Sequence, residues 1–139
     1  MDRQRFSEWN EKMFIKYNNV RLYKHPNPVI RYTENKRASM IISFVKGNEK
    51  VADIGCGEGY ILNRIDSSFV VGVDLSKSAL EQVSNIGKAV LVRANAESLP
   101  FNDNFFDAAI CSETIEHVLH PKKVVSELVR VVKHGGTII

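Results

Sequence analysis

The stretch Val51-Ala52-Asp53-Ile54-Gly55-Cys56-Gly57-Glu58-Gly59 decides the fold of this chain. A short apolar run with an acid near its end leads directly into three glycines at alternate positions, and a helix is predicted to follow over residues 58–65. This is the pattern of a strand whose carboxyl end meets a ligand, because glycines let backbone approach closely and a helix start offers free N–H groups. The pattern predicts a ligand site directly after this strand.

A second acid ends the next predicted strand. Val70-Val71-Gly72-Val73 is apolar and runs into Asp74, a carboxylate placed to accept hydrogen bonds from a ribose. The dinucleotide fingerprint G-x-G-x-x-G fits poorly, because the third glycine, Gly59, comes one residue early. Asp53 is also unexpected beside a pyrophosphate. A carboxylate at that position suits a ligand with a cationic amine.

These residues closely resemble motif I and the second-strand acid of class I methyltransferases that depend on S-adenosylmethionine (SAM). The resemblance implies that motif I lies beneath the methionine part of SAM, through residues Asp53, Gly55, Cys56, Gly57 and Gly59. It also implies that Asp74, followed by Leu75, holds the ribose hydroxyls.

The resemblance continues through the second half of the chain. Asn95-Ala96-Glu97-Ser98-Leu99-Pro100-Phe101 is similar to the family segment D-A-E-x-L-P-F, whose first residues bind the adenine edge. Asn95 replaces the usual Asp, and its amide still accepts and donates hydrogen bonds, so weakened adenine recognition is implied. Asn is also a common turn residue, which is the competing interpretation. Residues 131–139 resemble the family's L-K-P-G-G turn, so Gly135 and Gly136 are expected to end a helix and turn the chain.

Ser112-Glu113-Thr114-Ile115-Glu116-His117-Val118 stands where the family places residues against the cofactor's methyl group and the acceptor. If this stretch is helical, Glu113, Glu116 and His117 share one face. His117 is then a candidate general base, and Glu113 is a second candidate catalytic residue on the same face. Ser112 is a candidate cofactor contact. The same letters resemble the Mg²⁺ motif of small-RNA 2′-O-methyltransferases, although that family's further His is missing. The plain alternative is that His117 packs at a helix end and the glutamates are solvated.

Alternating strand and helix signals after residue 50 predict an α/β fold, a Rossmann-like doubly wound parallel sheet. Strands are predicted over 50–54, 69–74, 89–93, 106–111 and 136–139. Helices are predicted over 76–85, capped by Ser76, and over 121–133, beginning at Pro121. The family's sheet has seven strands. The final hairpin is therefore expected to be absent, and the exposed fifth-strand edge is a template for pairing with another chain, including a second copy.

Residues 1–49 are predicted to form an N-terminal helical lid and substrate segment, and residues 50–139 the SAM-binding core of one single domain. One helix is predicted over 5–19, with Phe6, Trp9, Met13 and Tyr17 on one face. Pro26 and Pro28 predict a non-helical connection over 20–32, and Thr33 is a predicted N-cap for a helix over 34–46. The buried stripe of that helix is predicted to be Ala38, Ile41, Ile42 and Val45. Tyr17, Tyr23 and Tyr32 are candidates for covering the cofactor, although such residues are more often core or scaffold.

Composition narrows the class of protein. The chain has 139 residues, of which 44% are hydrophobic and 25% charged, as in an ordinary folded domain. No membrane span or signal peptide is visible, so a cytoplasmic protein is expected. Cys56 and Cys111 are expected to be reduced, and near each other if their strands are adjacent. Residues 1–50 carry 11 Lys/Arg and 5 Asp/Glu, a net charge of +6, which could attract an anionic partner, although the scattered positions favour a solvated surface.

The sequence therefore predicts an enzyme that transfers a methyl group from SAM to a small-molecule acceptor and leaves S-adenosylhomocysteine. Two alternatives stay open. One is an RNA ribose 2′-O-methyltransferase with a metal ion on Glu113, Glu116 and His117. The other is a SAM-binding module without catalysis. A small-molecule acceptor is preferred here to nucleic acid as the partner.

Overall fold

The computed structural model describes residues 2–17, 22–83 and 87–139. These ranges contain a five-stranded parallel sheet with the strand order β3-β2-β1-β4-β5. The strands are β1 Lys50–Ile54, β2 Phe69–Asp74, β3 Val90–Arg93, β4 Phe106–Ile110 and β5 Val132–Ile138. The helices are α1 Arg3–Tyr17, α2 Pro28–Val45, α3 Lys77–Glu81 and α4 Pro121–Val131. The predicted fold class is confirmed.

Helices cover both faces of the sheet, because each central strand is apolar on both sides. Ala52 and Ile54 of β1 pack on one face with Val124 and Leu128 of α4. Val51, on the alternate face, packs with Ile41 and Val45 of α2. The helices on the two faces leave the carboxyl ends of the strands accessible. Parallel sheets of this kind bind ligands there.

Helix α2 begins much earlier than its sequence predicts. It starts at Pro28, and the N-cap is Asn27, whose Oδ1 accepts from the Val29 N–H at 2.9 Å. The prediction of a helix starting after Thr33 is wrong, because a proline in the first helical position needs no N–H partner and already has a helical φ. Of the predicted stripe, Ala38, Ile41 and Val45 are buried, and Ile42 is half-buried.

The helix predicted over 58–65 does not form. The glycines at 55, 57 and 59 all have positive φ, between 54° and 85°, and carry the chain through a turn. Only the 3₁₀ turn Leu62–Arg64 fits before Ile65 becomes extended on the way to β2. Helix α3 is likewise short, although Ser76 caps it as predicted, with its side chain accepting from the Ala79 N–H. Residues 84–86 of that predicted helix lie outside the described residues.

The last strand also departs from its prediction. Helix α4 ends at Val131, and β5 begins at once at Val132. Its register with β4 jumps, since Phe106 pairs with Val132 but Ala108 pairs with Thr137. Gly135, with φ of 79°, and Gly136 lie in this irregular stretch rather than at a helix end. The end predicted for the first helix, at Asn18-Asn19, lies outside the described residues. Among the described helices, none is long and apolar enough to cross a bilayer.

Candidate functional site

A cavity of about 490 Å³ opens at the carboxyl ends of the strands. Its floor comes from the ends of β1 and β2, one wall from the segment after β3, and a second wall from the segment after β4. Helix α1 forms the roof. A volume of this size is within the range of small-molecule sites, roughly 300–1,000 Å³. The lining residues are Phe6, Trp9, Asn10, Met13, Phe14, Ile54, Gly55, Val73, Asp74, Leu75, Ala94, Asn95, Ala96, Glu113, Thr114, His117 and Val118.

The glycine loop is fastened to the end of β2. The N–H groups of Gly55 and Cys56 both donate to the Val73 carbonyl, at 2.7 and 3.0 Å. Gly55 has φ of 79°, and a Cβ there would overlap the Thr114 side chain. Only glycine satisfies both the backbone conformation and this close approach. The loop therefore lies directly against the segment that follows β4.

Asp74 lines the cavity and at the same time organises the loop around it. Its Oδ2 accepts from the Gly57 N–H and its Oδ1 from the Ser76 N–H, both at 2.8 Å. Burial raises the pKa of this carboxyl, and these hydrogen bonds oppose the rise. Each carboxylate oxygen keeps a second lone pair, so Asp74 can still accept from ribose hydroxyls.

Asp53 directly precedes Ile54 and Gly55, which line the cavity, and its exposure is 3%. The Leu62 N–H donates to its carboxylate, but Oδ2 has no hydrogen-bond partner among the described residues. Burial, and secondly repulsion from Asp74, raises the pKa of Asp53 to about 7. An orphaned buried oxygen of this kind fits a cationic ligand group that would replace the lost hydration.

Asn95 and Glu97 have different surroundings. Asn95 lines the cavity, and its Oδ1 accepts from the Glu97 N–H at 2.8 Å, the turn geometry typical of Asn. Glu97 is buried and accepts from the His120 N–H at 2.9 Å, where α4 begins. It is not part of the cavity lining. In this structure Glu97 therefore anchors the start of α4.

The segment after β4 brings Glu113 and His117 to the cavity wall. It is not the continuous helical turn that would place both on one face with Glu116, because only Ile115–His117 is a 3₁₀ turn and Glu113 has φ of 60°. Glu113 pairs instead with Arg37, at 2.8 Å, and His117 Nε2 lies 3.9 Å from Glu116 Oε1. Among the described residues, no three His, Cys, Asp or Glu side chains are grouped closely enough to hold a metal ion.

Helix α1 contributes side chains to the roof that the sequence patterns only partly indicated. Phe6, Trp9 and Met13 were expected on one face of a helix within an N-terminal lid segment, and all three line the cavity. Phe14 lines it too, and was not predicted. Of the tyrosines considered as a cover, Tyr32 is exposed and Tyr23 stacks on Tyr60 at 4.1 Å between ring centroids. The side chain of Tyr17 lies outside the described residues.

The predicted cofactor contacts fall into two groups, those that line the cavity and those that do not. Five of the predicted residues line it, namely Gly55, Asp74, Leu75, Asn95 and Ala96. Those that do not are Asp53, Cys56, Gly57, Gly59, Glu97 and Ser112. The two cysteines are free thiols in separate hydrophobic clusters, Cys56 with Leu62 and Cys111 with Ala109. Burial raises the pKa of Cys111 to about 11.

Comparisons with known proteins agree with this geometry. Residues 52–139 match the family described as "Methyltransferase domain". The chain is 34% identical over 112 residues to a tRNA (carboxymethyluridine(34)-5-O)-methyltransferase of Arabidopsis thaliana, covering 78% of this chain and 28% of that protein. It is 34% identical over 116 residues to a ubiquinone/menaquinone biosynthesis C-methyltransferase of Cronobacter sakazakii, covering 75% and 46%.

Solved structures show the same relationship. The chain is 29% identical to a SAM-dependent methyltransferase from Methanosarcina mazei, with a TM-score of 0.59, covering 68% of this chain and 52% of that one. In every case the chain spans only part of its relative, and less than half of the two curated relatives.

Proposed function

This chain belongs to the methyltransferase domain family, and from that premise we propose that it transfers a methyl group from SAM to a small-molecule acceptor. The observation that supports this most is the cavity itself. One enclosed volume brings together Asp74, Asn95, His117 and the apolar roof of α1. Polar groups for orientation and an apolar cover are what a small-molecule site needs.

The residues present fit SAM. Asp74 would hold the ribose hydroxyls, Asn95 and Ala96 would lie at the adenine, and Asp53 would offset the charge of the cofactor's amine. The bound cofactor would supply an electrophilic methyl group on a sulfonium. Gly55 would let the backbone approach that ligand without a side chain in between. Each of these roles remains a proposal for this chain.

The protein's own contribution to the reaction would be alignment. Holding two reactants in line gives effective-molarity gains of about 7–11 kcal/mol. The walls formed after β4 would place an acceptor beside the cofactor, and His117 would take a proton from a hydroxyl or phenol acceptor. Glu113 would flank that acceptor. A base is needed only for an acceptor that holds its proton tightly.

A second candidate acceptor is a nucleotide in tRNA. Its support is the similarity to the Arabidopsis tRNA methyltransferase, together with the net charge of +6 over residues 1–50. The metal-dependent RNA version has less support, since Glu113 pairs with Arg37 and stands apart from Glu116 and His117. Methyl transfer from radiolabelled SAM to a panel of phenols, carboxylic acids and tRNA would decide between the acceptors.

The cofactor proposal is tested by calorimetric titration of SAM and S-adenosylhomocysteine. Asp74→Ala removes a charged acceptor, and each lost bond to a charged group is worth about 1.5–3 kcal/mol. We therefore expect affinity to fall at least about tenfold. Asp103→Ala is the matched control, because Asp103 pairs with Arg130 away from the cavity and should leave affinity unchanged. Unchanged affinity in Asp74→Ala would contradict the assignment, and tight binding without transfer to any acceptor would favour a module that only binds SAM.

A further inference from the structure

Arg37 of α2 reaches across to the wall of the cavity. Its Nη1 donates to Glu113 Oε1 at 2.8 Å and to Ser112 Oγ at 3.2 Å. The rest of the guanidinium is directed by Glu34, one helical turn earlier, whose Oε2 accepts from Nη2 at 2.8 Å and from Nε at 3.2 Å. Arg37 is therefore pre-oriented by its own helix, and one of its edges faces Ser112 and Glu113.

Glu113 is an unusual partner for this arginine. Its φ is 60°, a left-handed conformation that is uncommon for residues with a Cβ and that tends to occur at functional sites. The side chain is 65% exposed and also lines the cavity. Exposed ion pairs contribute little to stability, and this one is held by a strained backbone. The contact between Glu113 and Arg37 therefore adds little to the stability of the fold.

The chemistry of this edge is that of an anion site. A guanidinium presents a flat pair of donors that matches a carboxylate or a phosphate. Ser112 accepts from Arg37 and keeps its own hydroxyl proton, which it can donate to the same anion. An anionic group that replaced the Glu113 carboxylate would leave the charge next to Arg37 unchanged. No burial of a new, uncompensated charge would be needed.

We propose that Arg37 is the anion-binding residue of the acceptor site, and that the Glu113 carboxylate occupies it until an acceptor arrives. The inference rests on the proposed function, which defines the cavity as a methyl-transfer site. It narrows the acceptor to molecules that carry a carboxylate or phosphate close to the atom that receives the methyl group. It also explains why a left-handed Glu113 stands at the cavity wall.

The test is a direct observation of the arginine side chain. Arginine Nε–H signals of the full ¹⁵N-labelled chain are recorded by NMR during titration with acetate or inorganic phosphate at constant ionic strength, with and without S-adenosylhomocysteine. Arg37→Lys assigns the signal. Arg64 is the matched control, because its exposed guanidinium is also hydrogen-bonded, to Asn35 and Tyr60. We expect the Arg37 signal to shift and then saturate as the anion concentration rises. The anion that reaches half-saturation at the lower concentration, acetate or phosphate, identifies the preferred group. A response no larger than that of Arg64 would overturn the proposal.

Glu113→Gln tests the displaced partner. Without a competing carboxylate the anion should bind about fivefold more tightly, which corresponds to about 1 kcal/mol. Glu116→Gln removes the same charge nearby and should have a smaller effect. If the two variants tighten binding equally, Glu113 is not the occupant. The affinity for S-adenosylhomocysteine is measured in the same samples: its absence would reject the proposed function, whereas normal affinity with an unresponsive Arg37 would reject only this inference.

Discussion

Asp53 is a carboxyl group placed where solvent does not reach it. The absence of water, more than the neighbouring Asp74, is what raises its pKa to about 7. The folded chain therefore holds a proton that the unfolded chain releases near pH 4, and stability falls as pH rises from about 4 to about 7. A residue that costs stability in this way is expected where a ligand is needed to offset its charge.

Asp53→Asn should remove that cost. One pKa unit corresponds to about 1.4 kcal/mol. We therefore expect the difference in free energy of unfolding between the variant and the wild type, measured by urea unfolding, to grow by roughly 2–3 kcal/mol from pH 5 to pH 8. Its affinity for SAM should fall, because a neutral amide cannot offset the cofactor's amine. Parallel stability curves for the two proteins across this pH range would contradict the assignment of a buried, titrating Asp53.

The Glu11 carboxylate ties helix α1 to the start of α3. Oε1 of Glu11 accepts from the Ser78 N–H and Oε2 from the Lys77 N–H, both at 3.0 Å, at the start of α3. Partial burial acts to raise the pKa of Glu11, but the hydrogen bonds from Ser78 and Lys77 outweigh it and lower the pKa. The same α3 start is tied to Asp74 through Ser76. The roof and the predicted ribose contact are thus connected through a five-residue helix.

Glu11→Ala should loosen this roof. Loss of a capping side chain costs about 0.5–2 kcal/mol, so we expect S-adenosylhomocysteine to dissociate about two- to thirtyfold faster. Trp9, the single tryptophan of the chain, lines the cavity and provides a stopped-flow fluorescence signal. The matched control is Glu8→Ala on the exposed side of α1, where Glu8 accepts a hydrogen bond from Gln4 of the same helix. Equal dissociation rates in the two variants would show that Glu11 does not hold the roof.

Sequence patterns located β1, β2, β3, β4 and the start of α4 closely, because apolar spacing along the chain reports which side chains face the core. They missed the end of α4 and the start of β5, where the helix passes directly into the strand. Gly55 and Asp74 could be placed at one edge of the sheet, because the carboxyl ends of parallel strands meet there, whereas the place of Asn95 was implied by the family resemblance. Helix starts were less predictable, as Pro28 shows, because proline both ends and begins helices. The contacts of Glu11, Arg37 and Glu97 could not be predicted, because each depends on how distant elements dock.

The whole molecule has two sheet edges within its described residues, β3 and β5. Ile138 on β5 is 43% exposed, and Val90 on β3 is 46% exposed. An edge strand with free N–H and C=O groups is a template for pairing with another chain. The longer edge, β5, is where we expect a second copy of this chain to associate.

Sedimentation velocity over a range of protein concentrations would measure this association. Ile138→Lys should shift the distribution toward monomer, because a charge on an edge strand opposes strand pairing. Val90→Lys places the same charge on the opposite edge and should leave the distribution unchanged. A wild-type chain that stays monomeric throughout, or a larger effect from Val90→Lys, would exclude association through β5.

The contact between Gly55 and Thr114 has a consequence for the two ligands. Gly55 belongs to the loop after β1 and Thr114 to the cavity wall after β4, and the Thr114 side chain lies directly against the Gly55 backbone. Under the proposed function, we expect a ligand that shifts one of these segments to shift the other and so to change the affinity for the second ligand. Thermodynamic reciprocity would make the two changes equal in free energy.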